Sequence, residues 1–243
     1  VVAFRGVIFF SAAVADLCRR FCGVAGVAGG SGNGDGVRIM SIQIFDGEDN
    51  STFATNARGA EYAADNGACL ANNSWGLSAA EGPRNDSEYT MYLAAEYDAY
   101  AYFAKTKNCA ALDGSLAIFA AGNDSYTHAA YPGAYNEFIA VTAYAPDGLP
   151  TTYTNYNLGC NVAAPGGDFW ISGQYSFEYA YEGSVLSTIP AETVDPYTGV
   201  KYGTDYGYMQ GTSMACPNMA GVVAILRQYV INDLATLASD ENG

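Results

Sequence analysis

The stretch GTSMACPNMAG, residues 211–221, sets Ser213 between small residues just before an apolar run that reads as a helix to about residue 229. A hydroxyl at a helix start faces unpaired backbone N–H groups and the positive end of the helix dipole, surroundings that suit a nucleophile attacking a carbonyl. Gly211 lets the chain turn tightly, and Thr212 and Ala215 are small enough to leave an incoming group room. On these grounds alone a serine here is more often an ordinary N-cap. A second candidate is Asn123, delivered by the run Ala120, Ala121, Gly122 to the C-terminal edge of a strand, where open α/β sheets bind ligands. An amide there can donate to a developing oxyanion, an effect worth about 3 kcal/mol. An Asn before Asp124 is also a common turn former. A serine nucleophile needs a base, and histidine occurs once, at His128.

The elements that must position these groups follow from periodicity. Residues 37–45, VRIMSIQIF, read as a buried strand, and residues 52–66 as a helix with Phe53, Ala57, Ala60 and Ala64 on one face, capped by Asn50 or Ser51 and stopped by Gly67. ACLANNSWG is a second strand. A helix from a cap at Ser87 to about Lys105 follows, with Tyr89, Leu93, Tyr97 and Tyr100 along one side. SLAIFAAG and EFIAVTAY are further strands. Near-continuous apolar strands alternating with helices demand a parallel sheet covered on both faces.

The 243 residues suit one sizeable domain, and a chain half hydrophobic and 14% charged is globular in composition. A net charge of −15 argues against nucleic acid and anionic membrane surfaces, which need clustered Lys and Arg. No stretch approaches the ~20 apolar residues needed to span a bilayer. Six scattered cysteines do not fix the redox compartment, and Cys18 with Cys22 lacks the further Cys/His pair of a zinc site. The opening VVAFRGVIFFSAAVAD imitates part of a secretory signal. The glycine-rich run 23–36 lacks a P-loop lysine and reads as a flexible loop.

Taken together, GTSMACP, AAGND, NNSWG, YPGAYNEFIAVTA and VAAPG, in family order, resemble the subtilisin-like serine proteases, from about Cys22 to the final helix. The resemblance implies a three-layer α/β fold with a mostly parallel central sheet flanked by helices, and peptide-bond hydrolysis through an acyl-enzyme in a secreted or cell-surface protein. It assigns Ser213 as nucleophile and Asn123 as the oxyanion-hole side chain. It assigns Ser74, Trp75 and Gly76 to the strand that pairs with substrate, and Ala120, Ala121 and Gly122 to the facing wall of the specificity pocket. Trp75 also reads as simple core packing. The partner implied is a peptide or protein substrate; no cofactor or metal ligand is assigned, and structural calcium has no assignable residues.

The family's Asp and His motifs are not matched. They belong before the Gly-Val-Ala-Gly stretch near Gly23, where residues 1–21 hold no histidine and one acid, Asp16. The chain therefore divides into an atypical segment, 1–21, and a partial catalytic domain, 22–243, with N-terminal strand or strands missing and an apolar sheet edge exposed. Two functions follow as expectations: a serine endopeptidase inactive in this form, or a non-catalytic peptide-binding module. An α/β-hydrolase is excluded because no Gly-x-Ser-x-Gly elbow surrounds a suitable serine. His128 reads as a surface-loop residue, Asn218 stands where the family usually has His, and the aromatic stretch 167–184 reads as surface hairpins.

Overall fold

The computed structural model describes residues 7–12, 38–44, 52–109, 113–171, 174–175, 183–189, 201, 203 and 205–240. Asp16, the Cys18 and Cys22 pair and the glycine-rich run 23–36 lie outside these. Six strands, β1 (Val7–Ala12), β2 (Arg38–Gln43), β3 (Ala68–Asn73), β4 (Leu116–Ala120), β5 (Ile139–Tyr144) and β6 (Val162–Pro165), form one sheet in the order β2-β1-β3-β4-β5-β6. Every pairing in it is parallel.

The atypical segment contributes to this sheet: β1 pairs with β2 on one side and β3 on the other. Its sequence, VIFFSA, is rich in the β-branched and aromatic residues that strands favour.

Alternation along the strands splits the core in two. Ala117 and Phe119 face helices α1 (Phe53–Asp65) and α2 (Asp86–Lys105), whereas Ile118 and Ala120 face the long helix α3 (Thr212–Asp240). The first layer is aromatic: Phe119, Phe138, Tyr100 and Trp75 meet at centroid distances of 5.0–6.3 Å. The second is built from small residues, with Ala215, Cys216, Ala220 and Ala224 of α3 against Val141, Ala143 and Ala164, so the helix lies close to the sheet. Thr212–Ile231 is long and apolar enough, by length and composition, to cross a membrane. Its contacts with β3–β6 make it a core helix on that side.

Caps differ from the expected ones by a residue or two. Thr52 accepts from Thr55 N to open α1, and Asn85, not Ser87, opens α2 by accepting from Glu88 N at 3.0 Å. Gly67, at φ +86°, ends α1 as expected. Two antiparallel pairs are present, β7 (Trp170–Ile171) with β8 (Gln174–Tyr175), inside the stretch 167–184 expected to form hairpins, and β9 (Val185–Thr188) with β10 (Tyr206–Met209), outside it.

Within the aromatic layer, α2 departs from helical geometry at Leu93 and carries a fully buried carboxyl, Glu96. Asn56 Nδ2 donates to it at 2.7 Å, and the Tyr89 hydroxyl donates to its other oxygen. Burial outweighs both bonds and raises the Glu96 pKa above 4.5. The folded chain thus retains a proton that the unfolded chain loses near pH 4.5. Stability must fall as pH climbs from there to the folded pKa, and level off above it. Urea unfolding followed across that window should show this fall in the wild type and a shallower one in Glu96→Gln. Equal slopes would exclude Glu96 as its source.

Candidate active site

All strands point the same way, so the segments leaving β3 and β4 and the start of α3 meet at one edge of the sheet. Asn123 and Ser213 come together there through Thr212. The Thr212 backbone N–H and its hydroxyl both donate to Asn123 Oδ1 at 2.9 Å. Because an N–H can only donate, these bonds identify the atom facing Thr212 as the amide oxygen and leave Nδ2 free to donate elsewhere.

The arrangement leaves two donors free. Asn123 caps the first orphan N–H of α3, but the next, on Ser213, has no partner among the described residues, and neither has Asn123 Nδ2. Both border the space opened by Gly211, at φ +145°: a Cβ built there would lie 3.7 Å from Asn123 Nδ2 and 3.7 Å from Ser213 N. Two unsatisfied donors within reach of one point are the kind of arrangement that stabilises an oxyanion.

Ser213 itself is 9% exposed, while Asn123 is exposed. The Ser213 hydroxyl donates to the Ser74 carbonyl at 3.2 Å, and the Ser74 hydroxyl donates back to the Ser213 carbonyl at 2.8 Å. Pro217 explains why that carbonyl is available. Lacking an N–H, it cannot donate to the residue four positions earlier, which is Ser213. Asn72 Nδ2 then steadies the Ser74 hydroxyl at 3.0 Å. Asn218 donates to the carbonyl of Pro165 at 2.8 Å, fastening the first turns of α3 to β6.

The two expected pocket walls lie close to one another. Ser74, Trp75 and Gly76 follow the end of β3, and a Cβ on Gly76 would sit 3.1 Å from the Ala130 methyl. From the other wall, a Cβ on Gly122 would sit 3.3 Å from the same methyl. The Ala120–Gly122 wall and the Ser74–Gly76 wall thus share Ala130 between them. The ring of Trp75 turns into the core, 5.8 Å from Phe119, as the packing alternative anticipated.

Two residues that sequence reasoning missed hold this edge in shape. Thr212, taken only as small, accepts from Gly122 N at 3.2 Å besides gripping Asn123. Asn155, fully buried, donates to Ala121 O at 2.9 Å and accepts from Asp124 N and Tyr126 N, each at 3.0 Å. The turn presenting Asn123 is therefore bonded on both sides. An Asn in the loop TNYN gives no signal beyond turn propensity.

His128 is elsewhere. Its Nδ1 lies 2.8 Å from Ala129 O, its Nε2 is buried without a partner, and it lines a cavity of about 500 Å³ with Arg84, Asp86 and Tyr131. None of Ser213, Asn123 or Ser74 lines that cavity. The thiol next to the nucleophile turn, Cys216, has its pKa pushed far up by burial, which keeps it protonated. Among the described residues no cluster of three or more His, Cys, Asp or Glu side chains is placed to hold a metal ion.

Residues 22–239 match the model of the subtilase family. The chain belongs to that family. Relatives include fervidolysin of Fervidobacterium pennivorans, 31% identical over 86% of this chain and 26% of that protein. Another is alkaline elastase YaB of Bacillus sp. (strain YaB), 27% identical over 85% of this chain and 40% of its own length. This subtilase chain thus spans well under half of either relative. In fold it is similar to the crystal structure of a lanthipeptide protease, with a TM-score of 0.67 at 17% identity over 90% of this chain and 72% of that one.

Proposed function

We propose that this subtilase domain is built for peptide-bond hydrolysis at Ser213, as a serine endopeptidase, and that the 243-residue chain is almost inert because no Asp or His motif supplies its base. The observation carrying this reading is that two donors without partners among the described residues, Asn123 Nδ2 and Ser213 N–H, lie within 3.7 Å of one point beside Gly211. A substrate held along Ser74–Gly76 would present its carbonyl to the Ser213 oxygen. Attack forms the C–O bond and places negative charge on the carbonyl oxygen; collapse of the tetrahedral adduct to the acyl-enzyme breaks the C–N bond, and the amine leaves with the proton that a base takes from the hydroxyl. Water then repeats the sequence and frees Ser213. A base must take the hydroxyl proton, yet here that proton is donated to the Ser74 carbonyl, which cannot remove it.

The substrate class follows the relatives, several of which are named as proteases, one as an extracellular protease. A peptide or protein substrate, met outside the producing cell, is the reading they support. The second reading, a peptide-binding module that has lost catalysis, draws support from the same Ser213–Ser74 bond.

A peptidyl boronic acid, which adds to a serine oxygen, separates the possibilities. It should bind the wild type, lose affinity at least ten-fold in Asn123→Ala and fail to form an adduct in Ser213→Ala, whereas a fluorophosphonate probe labels the wild type very slowly. Binding by none of the three proteins would remove both readings. Rapid fluorophosphonate labelling would remove the inertness.

A further inference from the structure

The turn that presents Asn123, residues 121–127, lies beside the segment 152–158 and is bonded to it almost throughout. Asn155 N–H donates to Gly122 O at 3.0 Å, Ser125 N–H to Tyr153 O at 2.9 Å, Tyr156 N–H to Tyr126 O at 2.9 Å and Leu158 N–H to Thr127 O at 3.3 Å. The Ser125 hydroxyl adds a bond to Thr152 O at 2.8 Å. Within 121–127, Asn123 alone makes no hydrogen bond to this segment; its side-chain oxygen is held by Thr212 instead. The exposed amide is thus placed by its neighbours along the chain, and they are placed by 152–158.

Asn155 is the centre of that support. Its side chain is fully buried, with Oδ1 accepting from Asp124 N and Tyr126 N and Nδ2 donating to Ala121 O. Both lone pairs of the amide oxygen are therefore used. The three bonds fall on both sides of Asn123, and between the two on its far side Ser125 lies in the left-handed region at φ +53°. A residue other than glycine persists there only where its surroundings over-determine it, and such residues gather at functional sites.

An oxyanion donor works by standing in place before charge develops, so that no reorganisation is needed during reaction. A misplacement of about 1 Å can cost about 100-fold in rate. We propose that Asn155 is a positioning residue for the chemistry at Ser213: through Asn123 it fixes where Nδ2 meets the developing negative charge, and, being buried, it reaches no substrate itself. The inference rests on the proposed reading of Ser213 as nucleophile and Asn123 as oxyanion donor.

A double-mutant cycle tests it. Wild type, Asn155→Ala, Asn123→Ala and the double variant would be titrated with a peptidyl boronic acid, which becomes tetrahedral on the serine oxygen, and with the carboxamide of the same peptide, which stays planar. Asn155→Ala should weaken binding of the boronic acid about ten-fold or more and of the carboxamide less than about two-fold. The double variant should bind the boronic acid within about two-fold of Asn123→Ala alone, because a residue that acts through another adds nothing once the other is gone. Thermal melting checks that each variant is folded at the assay temperature. Should Asn155→Ala not fold, Asn155→Asp carries the same cycle, since it keeps both accepted bonds and loses only the donation to Ala121. Losses that multiply in the double variant, or equal losses for the two ligands, would overturn the proposal. A wild type that binds the carboxamide but forms no boronate adduct would remove the reading of Ser213, and the role of Asn155 with it.

Discussion

A peptide substrate is expected to be cleaved by this chain about 10⁶-fold more slowly than by a subtilase holding its full triad, the loss measured in subtilisin itself when the histidine alone is removed. What remains, about 10³-fold over water in the same enzyme, comes from binding and the oxyanion hole. The geometry accounts for both parts. Two donors lie within 3.7 Å of one point beside Gly211, but the Ser213 hydroxyl donates its hydrogen bond to a backbone carbonyl, which is no base. His128 offers no remedy, because it lines a cavity with Arg84, Asp86 and Tyr131 that Ser213 does not share. His128→Ala should accordingly leave the residual rate unchanged. Turnover within 100-fold of a complete enzyme, abolished by His128→Ala, would show instead that this histidine reaches the nucleophile.

Gly122→Ala is expected to lower stability by about 3–4 kcal/mol, combining about 1–2 kcal/mol of left-handed backbone strain with the cost of overpacking. Gly122 lies at φ +105°, and its missing Cβ would fall 2.3 Å from Asn155 Nδ2 and 3.1 Å from Asn155 Cγ. Asn155 cannot yield, since it is buried and holds Ala121, Asp124 and Tyr126 at once. For a chain of this size the loss corresponds to a fall in Tm of about 10 °C. Gly148→Ala is the control: at φ +79° with nothing within 4 Å, it should cost only the backbone part, about 1 kcal/mol. Equal melting temperatures for the two variants would mean that the Asn155 contact is not rigid.

Which features the sequence disclosed depends on how local their causes are. Ser213 and Asn123 were legible because a helix start and a strand end each leave a short signature, and the two do meet. The stripe Tyr89, Leu93, Tyr100 was legible from periodicity, yet Glu96 shares its burial, for its partners are Asn56 on another helix and a tyrosine beyond the break at Leu93. Thr212 and Asn155 were missed for the same reason: their hydrogen bonds reach 89 and 34 residues along the chain. The place of β1 was not legible because no family motif marks it; its position rests on pairing with β2 and β3 rather than on its own residues.

The bonds that steady Ser213 carry a consequence for when the site can exist. They join Ser213 to Ser74, 139 positions away, and Thr212 to Asn123 and Gly122, 89 and 90 positions away. Closing such long loops is entropically slow, and none of it can begin before Thr212 and Ser213 themselves are available. During synthesis on the ribosome, the hydroxyl and its two flanking donors are therefore assembled only after every residue from Ser74 to Ser213 has been made.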